Sequence, residues 1–338
     1  MIDIVFHGQN ATTYLRDFQA ALAGEARIRV VPETLVERAD IQAFEQAGII
    51  VGNRLDASMP TPRRVRLYQV CAAGYDRIDL GVLPAQAAVC NCHGHEPAIA
   101  EYAMAAILNQ RVPLADAHAC LARGDWRYRA GMPDALHGEI GMATLGLLGY
   151  GHIGQAIARR AKAFGMRVLA ANRSAVPVSG EVDGWFGLDT LEPFYRACDF
   201  IVVSLPLLPA TEGLVDAAAF AQMRAHAMLI NVGRGPVVDE QALYDALAAK
   251  RIGAAAIDTW YQYPARPGEA AAPSRLPFAR LDNVVMTPHM SAWTDGTIKR
   301  RARVMAANVD ACVAGRGLAH QIRGAVSGYC QVSGTCGA

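Results

Sequence analysis

The sequence has almost no surplus charge and no long apolar run. Its 338 residues carry 32 Lys and Arg against 31 Asp and Glu, a net charge of +1, so no polyanionic partner such as a nucleic acid is implied. No apolar stretch approaches the roughly 18 residues that a membrane span needs. The segment from Met1 to Phe6 lacks a basic n-region and a cleavage site, so we expect a strand there and not a signal peptide. These absences predict a protein that works on neither nucleic acid nor membrane.

Metal-ligand spacing is also missing. The chain has eight cysteines, and without a secretory signal we expect them to be reduced thiols of a cytoplasmic protein. The densest group, Cys90, Cys92, His93 and His95, is spaced too tightly for a zinc knuckle because neighbouring strand residues point to opposite faces. We therefore predict no metal site, and a strand end that leads into a loop.

The composition that is present fits a globular α/β protein, with 52% hydrophobic and 19% charged residues. The length favours two domains. Short apolar runs alternate with helical patterns, which predicts parallel sheets. The predicted strands are 2–7, 26–31, 48–51, 67–70, 145–148, 167–171, 200–205, 227–232, 252–257 and 284–286, and the predicted helices are 11–23, 97–111, 112–123, 155–164, 240–250 and 297–314.

A glycine-rich turn follows the predicted strand 145–148 and precedes a predicted helix. Gly149, Gly151 and Gly154 have the spacing G-x-G-x-x-G. The first glycine allows the tight turn, the second allows a pyrophosphate to approach, and the third lets helix and strand pack closely. The pyrophosphate then meets the positive end of a helix dipole. The predicted cofactor-binding stretch is Gly149, Tyr150, Gly151, His152, Ile153 and Gly154.

The end of the following strand predicts which dinucleotide binds. NAD enzymes usually place Asp or Glu there for the ribose 2′-hydroxyl, but this chain has Asn172, Arg173 and Ser174. Arg173 is suited to pair with a 2′-phosphate, and Ser174 to hydrogen-bond it. We therefore predict that NADP(H) is favoured over NAD(H).

Polar and small residues follow the later strands of the same predicted sheet. Because ligands bind at the carboxyl ends of parallel strands, Arg234, Asp258 and His289 are expected to meet in one crevice. Arg234 is suited to hold and polarise a 2-oxo acid, and His289 to exchange a proton near neutral pH. Further predicted cofactor contacts are Leu205, Pro206, Thr211, Val232 and Gly233.

Another loop of small residues follows the predicted strand 67–70. The amides of Ala73 and Gly74 are placed to hold an anion. The shape of a substrate pocket would depend on Arg54, His95, Trp293 and the irregular loop 264–277.

Five stretches carry a resemblance to a known family. The chain resembles the D-isomer-specific 2-hydroxyacid dehydrogenases, and glyoxylate/hydroxypyruvate reductases among them. The matching stretches are 73–80, 99–101, 149–154, 231–239 and 287–289.

The resemblance implies two Rossmann-like domains with doubly wound parallel sheets. The substrate domain would be split between 1–98 and 297–338, and the dinucleotide-binding domain would comprise 99–296. It further implies a homodimer, with helices at 97–123 at the domain boundary and the dimer face.

The implied reaction is NAD(P)H-dependent reduction of small 2-oxo acids, such as glyoxylate or hydroxypyruvate, to D-2-hydroxy acids, and its reverse. Arg234 would bind the substrate's carboxylate and carbonyl, and His289 would be the general acid/base. Asp258 would lie near the nicotinamide carboxamide, while Ala73 and Gly74 would offer amides to the carboxylate.

One position departs from the family pattern. Tyr263 stands where the family has a Glu that hydrogen-bonds the catalytic histidine. A phenol is able to orient the ring but brings no negative charge at pH 7. From the sequence we therefore expect His289 to have a lower pKa than in Glu-containing relatives, and reduction to fall off at a lower pH.

Two alternatives stay open. Formate dehydrogenases of the same superfamily also have a neutral residue at this position and resemble the chain around Trp260 and Ser291, although His95 replaces the asparagine expected near formate. Other members of the superfamily are dinucleotide-sensing corepressors. Turnover with a panel of 2-oxo acids separates an enzyme from such a binding protein.

Overall fold

The computed structural model describes residues 2–132, 134, 136–265 and 268–324. These residues form two compact units, one of residues 2–95 and 293–324 and the other of residues 96–292. The C-terminal tail from residue 325 on, which the sequence analysis expects in the substrate domain, lies outside the described residues. Within the described residues, no helix combines the length and the hydropathy that crossing a bilayer requires.

The first unit contains a six-stranded sheet in the order β13-β5-β4-β3-β1-β2. All pairs are parallel except β13, which runs antiparallel to β5 at one edge. The elements are β1 (Ile2–His7), α1 (Gly8–Thr12), α2 (Leu15–Ala21), β2 (Ala26–Val31), α3 (Arg38–Gln46), β3 (Ile49–Gly52), β4 (Leu67–Val70), β5 (Ala88–Cys90), α10 (Asp295–Val313) and β13 (Gln321–Arg323).

The two faces of this sheet are covered by different helices. On one face Ala302, Met305, Ala306 and Val309 of α10, at helical spacing, share an apolar cluster with Phe18 and strand residues. On the other face, α3 contributes Phe44 to a second cluster. Both faces are therefore buried, as parallel sheets require.

The second unit contains a seven-stranded parallel sheet in the order β12-β11-β10-β9-β6-β7-β8. The order reverses between β6 and β9, a switch point of the kind at which doubly wound sheets bind ligands. The elements are α4 (Glu96–Arg111), α5 (Leu114–Ala122), β6 (Thr144–Leu148), α6 (His152–Ala163), β7 (Arg167–Ala171), β8 (Gly184–Phe186), α7 (Glu192–Ala197), β9 (Phe200–Val203), α8 (Ala217–Gln222), β10 (Met228–Asn231), α9 (Glu240–Ala248), β11 (Ala254–Ile257) and β12 (Val284–Met286).

The predicted fold class is confirmed, with local differences. The continuous helix predicted over 11–23 is wrong, because the chain forms α1 and α2 with a break between them. At the break Thr12 and Thr13 donate their hydroxyls to the carbonyls of Gly8 and Gln9, and the Tyr14 amide bonds the Ala11 carbonyl. The sequence also missed α7, α8 and the short edge strands β8 and β13, whose patterns are too short for periodicity to detect. It missed the nine-residue helix α3 as well.

Candidate active site

The glycine turn of the second unit has the geometry of a phosphate cradle. Gly149 follows β6 with φ +104°, and a Cβ on Gly154 would lie 2.5 Å from the Gly149 carbonyl oxygen, so α6 packs directly on the turn. A Cβ on Gly151 would meet nothing within 4 Å. The space beside Gly151 is thus open at the N-terminus of a 12-residue helix that starts at His152. The site fits a dinucleotide pyrophosphate.

At the end of β7, Arg173 and Ser174 are exposed. Asn172 accepts a hydrogen bond from the Tyr150 amide at 3.4 Å, and its amide donates to the Ser174 carbonyl at 3.1 Å. Glu181, which was not among the predicted site residues, accepts a hydrogen bond on its carboxylate from the Tyr150 hydroxyl at 3.3 Å. Burial and this carboxylate raise the pKa of Tyr150 to about 12. Only the fold brings Glu181 to the turn, so no local pattern reveals it.

The loops after β9 and β10 are in close contact. Thr211 donates its hydroxyl to the Pro206 carbonyl at 2.6 Å and accepts from the Leu208 amide, so it fixes the loop after β9. A Cβ on Gly233 would lie 2.7 Å from the Leu205 carbonyl oxygen. Val232 is buried at the end of β10. These predicted cofactor residues therefore pack together at the carboxyl ends of β9 and β10.

His289 lies in the loop after β12 in a backbone conformation that non-glycine residues rarely adopt, with φ +57°. Its Nδ1 lies 2.9 Å from the Tyr263 hydroxyl. The same hydroxyl accepts a hydrogen bond from the Trp260 amide at 3.1 Å. Such strain is common at catalytic positions that the surrounding structure over-determines.

The loop that carries His289 is held by hydrogen bonds to Asp258, which is fully buried at the end of β11. Its Oδ1 accepts from the Thr287 hydroxyl at 2.6 Å and the Met290 amide at 2.8 Å, and its Oδ2 accepts from the Ser291 amide at 3.0 Å. The indole of Trp260 adds a bond to the Thr287 carbonyl at 2.8 Å. Asp258 therefore fixes the backbone on both sides of His289.

Tyr102 of α4, which the sequence analysis did not single out, extends this network. Its hydroxyl lies 2.8 Å from the Thr287 hydroxyl. The spacing of α4 gave no signal, because Tyr102 has an ordinary position in an apolar helix.

Arg234 follows β10 in extended backbone. Its carbonyl accepts from the Asn231 side chain at 3.1 Å, and its Nη1 donates to the Gly233 carbonyl at 3.0 Å. Its positive charge acts on the Tyr263 hydroxyl, whose pKa it lowers against the raising effect of burial. Three of the predicted chemical residues, Arg234, Tyr263 and His289, thus belong to one electrostatic neighbourhood.

The remaining predicted residues lie in the first unit. The loop after β4 is braced by the Asn91 side chain, which donates to the Ala73 carbonyl at 2.8 Å, and Gly74 is half-buried. Arg54 pairs with Asp56 at 2.9 Å. His95 is buried, whereas Trp293 is 46% exposed and packs edge-to-face on Tyr14 at 6.1 Å.

The family is identified by comparison with known proteins. Residues 104–291 match the model of the D-isomer specific 2-hydroxyacid dehydrogenase, NAD binding domain. That match covers more than half of the chain. The chain belongs to this family. It is an oxidoreductase of the D-2-hydroxyacid dehydrogenase type.

Curated relatives extend the similarity beyond that domain. Glycerate dehydrogenase of Methylorubrum extorquens is 34% identical over 293 residues, 84% of this chain and 87% of the relative. Glyoxylate/hydroxypyruvate reductase B of Klebsiella pneumoniae is 34% identical over 277 residues, 79% of this chain and 81% of the relative. D-3-phosphoglycerate dehydrogenase of Methanocaldococcus jannaschii is 33% identical over 211 residues, 62% of this chain, but the match spans only 38% of that protein.

A solved structure of the same family resembles the whole described fold. It is the D-isomer specific 2-hydroxyacid dehydrogenase from Xanthobacter autotrophicus in complex with NADPH and MES, with a TM-score of 0.76 and 26% sequence identity. The match covers 95% of this chain and 98% of that chain.

Proposed function

We propose that this dehydrogenase reduces small 2-oxo acids to D-2-hydroxy acids with NAD(P)H, and catalyses the reverse oxidation. The observation that carries the proposal is His289 on a strained loop that Asp258 fixes, with Tyr263 on its Nδ1 and Arg234 nearby. Two relatives support this substrate class. One is named glyoxylate/hydroxypyruvate reductase B and the other glycerate dehydrogenase.

Each residue has a defined part in this reaction. The nicotinamide cofactor supplies the hydride when it is bound at the Gly149–Gly154 turn. Arg234 holds the carboxylate and polarises the carbonyl, since a guanidinium binds a carboxylate with two parallel hydrogen bonds. His289 gives the proton that the developing alkoxide takes. Asp258 acts through the loop that it positions, and we retain its contact with the nicotinamide carboxamide as a prediction.

We assign substrate binding to the unit built from both chain ends, 1–98 and 297–338, and dinucleotide binding to 99–296. In the first of these, the amides of Ala73 and Gly74 would hold the substrate carboxylate. Arg54, His95 and Trp293 would shape the pocket. The half-buried loop after β4 supports this assignment, because its carbonyls are engaged and its amides lie at the carboxyl end of a parallel strand.

The test is cofactor oxidation with glyoxylate and with hydroxypyruvate, using NADPH and NADH in parallel. Formate with NADP⁺ or NAD⁺ serves as the control reaction. We expect reduction of at least one of the two 2-oxo acids, and we expect no oxidation of formate. Turnover of formate alone would contradict the proposed substrate class and favour a formate dehydrogenase. If no substrate is turned over, the dinucleotide-sensing binding protein becomes the favoured function.

We further propose that NADP(H) is preferred over NAD(H). Arg173 and Ser174 are exposed at the end of β7, where the ribose of a dinucleotide is expected to lie, and positions 172–174 carry no carboxylate. The relative from Xanthobacter autotrophicus, which is described in complex with NADPH, supports this preference.

We also propose a homodimer. The segment that contains α5 and the residues after it displays an unusual set of exposed apolar side chains. They are Leu114 (72%), Leu121 (52%), Trp126 (64%), Leu136 (88%) and Met142 (93%). A concentration of apolar surface of this kind is typical of a protein–protein contact.

A further inference from the structure

Within the part of the chain that the structure describes, the hydroxyl of Tyr263 lies within hydrogen-bonding distance of two groups with different capacities. The Trp260 amide, at 3.1 Å, is only a donor, so the phenol oxygen must accept from it. The His289 Nδ1, at 2.9 Å, accepts a hydrogen bond whenever the imidazole is neutral and carries its proton on Nε2. Among the described residues Nδ1 is the acceptor available to the phenolic proton. The arrangement therefore favours the neutral tautomer with the proton on Nε2.

A carboxylate at position 263 would favour the opposite tautomer. A carboxylate only accepts at neutral pH, so it requires the proton on Nδ1, and Nε2 then carries a proton only in the imidazolium. With a phenol, the neutral ring already carries its proton on Nε2, the nitrogen that Tyr263 does not contact. The substitution of Glu by Tyr thus changes which form of the histidine carries the transferable proton.

The charges around Tyr263 bear on whether it is able to release its proton. Burial raises the pKa of Tyr263 above its ordinary value, although the Trp260 amide and the Arg234 guanidinium oppose the rise, and Asp258 adds to it. The Asp258 carboxylate is already engaged by Thr287, Met290 and Ser291. A phenolate at this position would keep the Trp260 hydrogen bond and gain attraction to Arg234.

We propose that Tyr263 is a second proton donor that acts through His289 during reduction. The step rests on the proposed function. As the carbonyl carbon receives the hydride, the Nε2 proton moves to the carbonyl oxygen and the Tyr263 proton moves to Nδ1. The imidazole stays neutral, now with its proton on Nδ1, and Tyr263 becomes a phenolate. After turnover Nε2 takes a proton from water and Nδ1 returns its proton to the phenolate, which restores the starting tautomer.

This transfer is downhill because an alkoxide is a far stronger base than a phenolate, the phenol having an ordinary pKa of about 10. The route does not require an imidazolium, so reduction persists well above the pH at which histidine loses its charge. The expectation from the sequence alone is the reverse, a loss of the reduction rate at a lower pH than in Glu-containing relatives. That expectation assumes that the phenol only orients the imidazole ring.

The experiment is the pH dependence of kcat/KM for hydroxypyruvate reduction in the wild type and in Tyr263→Phe, from pH 5.5 to 9. At the acid end of this range, where protonation of His289 is most favoured, we expect the rates of the two proteins to be most similar. As the pH rises, the variant, which depends on the imidazolium, should reach a loss of about tenfold per pH unit while the wild type does not. Two pH units above the onset of the variant's decline, the wild type should therefore be on the order of 100-fold faster.

Tyr261→Phe is the matched control. Tyr261 lies two residues before Tyr263 in the sequence. Its hydroxyl donates to the Val238 carbonyl at 2.9 Å and not to His289. We expect any loss of rate in this variant to be the same at every pH. A proton inventory in mixed H₂O and D₂O adds a second readout, since two protons in flight give a curved dependence for the wild type and a linear one for Tyr263→Phe.

Three results would overturn the proposal. They are a Tyr263→Phe defect that does not vary with pH, a wild-type rate that falls together with the variant's as the pH rises, and a neutral His289 with its proton on Nδ1 by ¹⁵N NMR. The first two leave 2-oxo acid reduction intact, so they are distinct from failure of the proposed function. The NMR result is obtained without turnover.

Discussion

At the scale of single residues, Arg173 is the side chain that would determine the choice between NADP(H) and NAD(H). It is exposed beside Asn172, whose own side chain is engaged by the Tyr150 amide and the Ser174 carbonyl. Arg173 is thus the group at this strand end that is able to bring positive charge to a 2′-phosphate.

We expect Arg173→Ala to lower kcat/KM for NADPH by about 10- to 100-fold, the value of one or two charge-assisted hydrogen bonds, and to leave NADH almost unchanged. Steady-state kinetics with both cofactors measures the effect. Arg159→Ala is the control, because Arg159 is exposed on α6 and faces Glu181 at 3.8 Å. Equal losses for the two cofactors in Arg173→Ala would contradict the assignment.

At the scale of elements, buried amide side chains connect α10 to the first sheet. Asn308 donates to the Gln69 side chain at 2.8 Å and to the Ala319 carbonyl at 3.0 Å, and accepts from the Ala319 amide at 2.8 Å. Gln69 in turn donates to the carbonyls of Cys90 and Asn91. One network therefore joins α10, β4, the end of β5 and the segment that leads into β13.

Asn308→Ala would leave several buried polar groups without partners, and we expect it to lower the free energy of unfolding by about 2–3 kcal/mol. Urea denaturation measures this change. Asp310→Ala on the same helix is the control, because Asp310 makes exposed bonds to the amides of Ala23 and Gly24 and should cost less than about 1 kcal/mol. Similar losses for both variants would show that the buried network has no special weight.

A second connection between elements depends on pH. Asp199, nearly buried at the start of β9, accepts from the Thr144 amide at 2.7 Å, from Arg224 at 2.6 Å and from His226 at 2.7 Å. Burial raises the pKa of Asp199, but these hydrogen bonds outweigh burial and hold the pKa below its ordinary value. A lowered folded pKa means stability that is present above the unfolded pKa of about 3.9 and is lost as pH falls through the folded value.

We therefore expect Asp199→Asn to cost about 1–2 kcal/mol at pH 7, and the difference from the wild type to shrink below about pH 4. Urea midpoints at pH 7 and pH 3.5 measure both values. An unchanged difference at the two pH values would mean that the ionisation of Asp199 contributes nothing.

At the scale of the whole molecule, the proposed dimer is testable through its apolar surface. Leu121→Glu places a charge among the exposed side chains of the α5 segment, and we expect the mass in solution to fall from about twice 36.1 kDa towards that of one chain. Light scattering after size-exclusion chromatography measures it. Val178→Glu is the control, an apolar residue exposed at 69% that lies outside this segment. A wild-type protein with the mass of one chain would contradict the dimer.

Most of the dinucleotide-binding architecture was predictable because its signals are local. A glycine turn between an apolar strand and an amphipathic helix is legible within a dozen residues, and so are the polar residues at strand ends such as Arg234 and His289. The family and the fold class, both confirmed, follow from such stretches and their order. Short edge strands and the break between α1 and α2 were not predictable, since neither has a period long enough to read.

The sequence by itself determined which residue types stand at the strand ends, the absence of a carboxylate at positions 172–174, and the presence of Tyr263 where relatives have Glu. The tertiary structure alone decided what those residues touch. It places the Tyr263 hydroxyl between the Trp260 amide and His289 Nδ1, Glu181 against Tyr150, and Asp258 beneath the His289 loop. The reason is physical: apart from Tyr263 and Trp260, these partners are 26 to 32 residues apart in the chain, and only the packing of parallel strands brings their ends together.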